Sequence, residues 1–131
     1  SAKPEVKEEK KAEKVEKMEE KSEFISIEVF DKAVIKVGKV LNSEKVEGSE
    51  KLLKNTVEIG NETRTIVSGI AKFYEPKDII GKNVCVVTNL KPIKLKGILS
   101  EGMILCAVSE DNSKLTLVSP SSEIESGSRI C

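Results

Sequence analysis

The chain has 131 residues, room for one domain with some remainder. Its 22 Lys and Arg balance 22 Asp and Glu, so no whole-chain field marks it for a polyanion or a membrane surface. It has no histidine, which removes the side chain best suited to proton transfer at neutral pH and the commonest zinc ligand.

Residues 1–24 carry seven lysines and eight acids, with little apolar surface to offset the entropy of ordering. They are expected to be a charged Lys/Glu-rich linker, largely disordered, ahead of a domain at 25–131. From Phe24 the texture changes. Ile25, Ile27 and Val29 alternate with Ser26 and Glu28, a period of two that suits an extended segment. Val34 to Leu41 is β-rich around Gly38. Leu53–Ile59 and Glu62–Val67, split by Gly60-Asn61, read as a hairpin. Pro76 to Gly81 predicts one short helical turn, opened by proline and closed by glycine. Val84–Thr88, Gly102–Val108 and Lys114–Val118 supply three more strands. Five or six short strands, one short helix and no βαβ alternation predict an all-β fold. A five-stranded oligonucleotide/oligosaccharide-binding (OB) barrel fits this size, with an SH3-like barrel or small sandwich as rivals.

The chemical inventory argues against catalysis. Without histidine no serine or cysteine triad of the usual kind can form, and no phosphate-binding loop or Gly-x-Gly-x-x-Gly motif is present. The acids Glu110, Asp111, Glu123 and Glu125 fall in predicted turns, where solvated roles prevail. Cys85 and Cys106 stand inside apolar runs and Cys131 ends the chain. An odd, dispersed set suggests reduced thiols in an intracellular protein. No apolar run approaches the ~20 residues of a membrane span. No cofactor and no metal are expected.

What stands out is 89–103. Lys91, Lys94 and Lys96 fall close together, with no acid between Lys82 and Glu101. Pro92 disfavours a helix, so the segment is expected as a loop or short extended link, with Lys94 and Lys96 pointing the same way toward phosphates. Asn89 and Ser100 offer hydrogen-bond groups to a base, ribose or phosphate. Met103 could face an unstacked base, and Gly97 and Gly102 permit close backbone approach. An ordinary solvated loop, with Met103 in the core, accounts for the same composition. Val67-Ser68-Gly69-Ile70 suggests a tight exit turn. With only three Phe and one Tyr, extended base stacking has few platforms, which favours a structured RNA read by shape.

The run Asn-Leu-Lys-Pro-x-Lys-x-Lys-Gly-x-x-Ser-x-Gly-Met at 89–103, after Val-Ser-Gly-Ile at 67–70, resembles the structure-specific tRNA-binding domain family. Ile35 to Val40, Glu50 to Leu53, Val57 to Gly60 and Gly127 to Ile130 extend the likeness over about 25–131. That family includes the C-terminal extension of many methionyl-tRNA synthetases, stand-alone tRNA-binding proteins and secretion-chaperone-like proteins. The resemblance implies an OB barrel with flanking dimerisation segments that binds tRNA by shape. It implies a tRNA face of Lys36, Asn89, Lys91, Lys94, Lys96, Ser100 and Met103. Lys36 and Lys96 stand where many members have Arg, Val34 replaces an Asp, and Ser126 replaces a proline of the last turn. Expected partners are tRNA, a second copy of the chain and a covalently linked upstream synthetase domain, with no membrane. The apolar candidates for dimerisation are Ile25, Ile27, Val29, Ile124 and Ile130. A protein-interaction module, chaperone-like or scaffolding, is the second reading.

Overall fold

The computed structural model describes residues 23–131, so the expected linker falls almost wholly outside the described residues. Two compact units divide between Lys32 and Ala33. In the first, the segment read from its alternation as extended is instead a single helical turn, α1 (Ile27–Asp31). Ser26 decides this: its hydroxyl accepts the Val29 N–H at 3.1 Å, a side-chain N-cap. Among the described residues no strand pairs with this segment.

The second unit carries β1 (Ile35–Lys45), β2 (Leu53–Ile59), β3 (Glu62–Ser68), α2 (Pro76–Ile79), β4 (Asn83–Val87), β5 (Ile93–Leu95), β6 (Ile98–Ser100), β7 (Met103–Ile104), β8 (Cys106–Val108), β9 (Leu115–Leu117) and β10 (Arg129–Ile130). The main sheet runs β3-β2-β1-β4-β7, all antiparallel, with β10 also on β1; β5-β6 and β8-β9 are separate hairpins.

β1 is the hub. It pairs with β4 along Ile35–Lys39 and with β2 along Lys39–Lys45, and its register with β2 shifts between Val40 and Asn42. A bulge there bends the strand enough to curl the sheet. Gly38 allows the close approach, because a Cβ would stand 2.6 Å from Val57 Cγ1. The curled sheet is closed by two bonds across the seam to β3. The Glu101 N–H reaches the Thr65 carbonyl at 2.9 Å, and the Ser100 hydroxyl accepts the Val67 N–H at 2.9 Å. The result is the expected OB-like barrel.

Alternation fills it. Leu53, Val57 and Ile59 of β2 turn inward against Val40, Ile66, Val84, Val86 and Ile104, and Ile79 of α2 packs into the same core. Each such aliphatic side chain contributes about 1.5–3 kcal/mol on burial. The buried polar residues satisfy one another. Ser43 donates to Asn55 Oδ1 at 2.8 Å, and Asn55 Nδ2 donates to Ser68 at 3.3 Å. Ser68 and Ile70 of the Val-Ser-Gly-Ile run are thus core positions as well as a strand exit.

Outside the barrel, Ile35, Cys85 and Val87 form a second cluster with Ala33, Leu105 and Ile130 packed on it. Ile130, a dimerisation candidate, is therefore partly covered within its own chain, whereas Ile124 is exposed. The last turn is firmly tied. Gly127 N–H donates to the Val37 carbonyl at 2.7 Å, and Ser126, in the proline's place, accepts the Gly60 N–H while donating to Glu58.

Candidate nucleic-acid interface

The 89–103 segment leaves the barrel where β4 ends. Thr88 donates from both its N–H and its hydroxyl to the Val34 carbonyl, at 2.8 and 2.9 Å, and Asn89 Oδ1 accepts the Val34 N–H at 2.9 Å. The side-chain carbonyl of Asn89 thus anchors the loop base to the start of β1. Position 34 holds it through its backbone, so Val can stand there.

Beyond Leu90-Lys91-Pro92 the chain forms the β5-β6 hairpin, pairing Ile93 with Ser100, Lys94 with Leu99 and Leu95 with Ile98. Its turn is Lys96-Gly97, with φ of 50° and 78°, the two positive values of a type I′ turn. Lys94 and Lys96 are therefore not strand neighbours on one face. Lys94 projects from the hairpin side and Lys96 from its tip. Both are exposed, as is Lys91.

Ser100 behaves differently from the expectation of a displayed hydroxyl. It is buried, accepting the Val67 N–H and donating to the Gly102 carbonyl at 3.4 Å. Its role is to fasten the hairpin to β3. Gly102 beside it has φ +145°, and a Cβ there would come within 3.2 Å of Ile66, Val86 and the Val87 carbonyl. Met103 emerges from this crowded point 46% exposed, on the surface and not in the core. Leu90, Ile93 and Leu99 are exposed as well, so the basic hairpin and its base also carry apolar side chains.

Lys36 lies in β1, opposite Val86 on one side and Arg129 of β10 on the other, which places two cations side by side on one face. Arg64 is the residue that sequence reasoning missed. Its Nε meets Glu62 at 2.8 Å, and its Nη1 donates to the carbonyls of Thr88 and Glu101, at either end of the excursion. The available signal was that Arg64 and Arg129 are the only arginines in the chain. Arg presents a rigid planar fork, so Nε can hold Glu62 while Nη1 reaches the carbonyls, a fixed geometry that the compact lysine ammonium lacks.

The remaining chemistry is quiet. Cys85, Cys106 and Cys131 are free thiols, and burial pushes the first two above the ordinary thiol range, away from nucleophilic thiolate. Among the described residues no group of His, Cys, Asp or Glu could hold a metal ion, and no helix is long and apolar enough to cross a membrane.

A closed antiparallel barrel presenting a lysine-tipped hairpin at one end defines a binding domain of the OB-like class. The family described as "Putative tRNA binding domain" matches residues 35–129, and the chain belongs to it. The chain is 49% identical over 108 residues to a methionine--tRNA ligase of Clostridium tetani, covering 82% of this chain and 17% of that protein. A methionine--tRNA ligase of Methanobrevibacter smithii is 53% identical over 112 residues, 86% of this chain and 16% of the other. The chain thus spans about a sixth of the length of these relatives. A MetRS related protein from Pyrococcus horikoshii superposes with a TM-score of 0.80 at 40% identity, covering 84% of this chain and 100% of that one. The chaperone CsaA of Bacillus anthracis superposes at 0.75 with 25% identity, over 82% and 99% respectively. The matched domain is a non-catalytic part of those ligases.

Proposed function

We propose that this chain binds tRNA by shape, as a cytoplasmic, homodimeric appendage linked to a methionyl-tRNA synthetase catalytic domain, and raises tRNA capture by that enzyme. The observation that carries the reading is the hairpin at 93–100, whose exposed Lys94 and Lys96, with Lys91 at its base, stand clear of any acid from 83 to 100. Lys36 and Met103 are included in the reading as further contacts, from opposite faces of the sheet, and Asn89 and Ser100 hold the hairpin in place through their bonds to Val34 and Val67. Three or four phosphate contacts give modest affinity that falls steeply with salt.

The test is a fluorescence titration of tRNA against Lys94→Ala/Lys96→Ala at several salt concentrations. Affinity for many tRNAs should fall about equally, and the slope of log affinity against log salt should flatten by roughly two contacts. Unchanged affinity and slope reject this face. The likeness to CsaA supports a second reading, a protein-binding module that takes unfolded peptide. Competition between an unfolded peptide and tRNA for the same chain separates the two.

A further inference from the structure

Beside the hairpin base, β3 and the 88–92 segment enclose an open cleft of about 360 Å³. We propose that this cleft is a subsite for one unstacked guanine base of the bound RNA. The inference rests on the RNA-binding reading above and adds a base contact to its phosphate contacts.

One wall is the aliphatic surface of Leu90 and Pro92, both exposed; the other includes Arg64. The Arg64 side chain is a quarter exposed, and its guanidinium is fixed by Glu62 and by the Thr88 and Glu101 carbonyls. A guanidinium plane so held is a stacking surface that needs no aromatic ring, in a chain that has few.

The lining of the cleft also includes two acidic residues, Glu62 and Glu101, beside the lysine hairpin proposed above to meet phosphate. An acid there repels the backbone and is useful only toward donors. Glu62 is engaged by Arg64, while the Glu101 carboxylate has no hydrogen bond or ion pair with any described residue. Guanine alone offers two adjacent donors, N1–H and the 2-amino group, matched to one carboxylate. Adenine and cytosine offer one amino group beside an acceptor, and uracil one N–H between two acceptors. A bidentate contact of this kind discriminates by roughly tenfold or more.

The experiment follows amide and Arg64 Nε–H resonances of the ¹⁵N-labelled full chain during titration with GMP, IMP, AMP, CMP and UMP, with a parallel tRNA titration. GMP should shift Thr63, Arg64, Leu90 and Glu101 and bind roughly tenfold tighter than AMP, CMP or UMP. IMP, lacking the 2-amino group, should fall between. Glu101→Gln, at an exposed carboxylate, should remove the GMP preference while the rest of the spectrum stays in place. Equal binding of all five, shifts confined to Lys91–Lys96, or a preference surviving Glu101→Gln overturns the subsite. A cationic peptide shifting these residues where GMP does not overturns it in favour of peptide. If tRNA still binds in those cases, only the subsite falls; loss of tRNA binding as well removes the reading beneath it.

Discussion

Ser100, at the end of β6, and Asp111, in the β8-β9 connection, are both polar, yet their surroundings give them different consequences. Ser100 is 3% exposed and its hydroxyl is the partner of the Val67 N–H. Ser100→Ala leaves that buried donor unmatched, so urea unfolding should register a loss of about 1–3 kcal/mol. Asp111 is on the surface, between β8 and β9. The Ser113 hydroxyl and N–H, with the Ser109 hydroxyl, donate to its carboxylate and lower its pKa from 3.8 to about 2. A depressed carboxylate stabilises the fold above its unfolded pKa, and that contribution disappears as pH falls from 3.8 through about 2. Ser113→Ala should move the Asp111 titration, followed by carboxyl NMR, back upward. An unmoved titration would show that Ser113 is not the main cause.

At the level of elements, what was legible depended on whether the cause was local. Gly60-Asn61 between two alternating runs placed the β2-β3 hairpin, and the proline and glycine around 76–81 placed α2, because these signals act within a few residues. The five residues from Ile25 to Val29 fit either period, and the Ser26 cap turns the chain into helix from Ile27. The β5-β6 hairpin was hidden because its turn is Lys-Gly, without the usual Asn or Gly in the first central position. Barrel closure was hidden too, since Ser100 meets Val67, Glu101 meets Thr65 and Arg64 meets Thr88 across more than twenty residues of sequence. The Lys96 turn separates charge from fold. Lys96→Asn suits φ of 50° better and removes one cation. Thermal stability should hold or rise while tRNA affinity falls, with the salt slope reduced by roughly 0.7–0.9. Lower stability with unchanged affinity would assign Lys96 to the fold alone.

For the whole molecule, the apolar surface left uncovered bears on the proposed dimer. Phe24, Ile25, Ile27, Val29 and Phe30 in and beside α1 are all exposed, and so is Ile124 in the last connection. α1 buries none of its residues, and a five-residue helix gains too little from its own hydrogen bonds to persist alone. In the dimer proposed above, a second copy covers this surface and brings two lysine hairpins onto one particle. Two faces linked in that proposed dimer would engage RNA with a raised effective concentration at the second contact. Ile25→Asp/Ile27→Asp should therefore halve the mass seen by light scattering at tens of micromolar while leaving the Ala33–Cys131 core intact by amide spectra. If one tRNA engages both copies, its affinity should fall further than the loss of one face alone requires. A monomeric mass for the unmodified chain would refute the dimer, and an unchanged affinity in a monomeric variant would show that each hairpin acts independently.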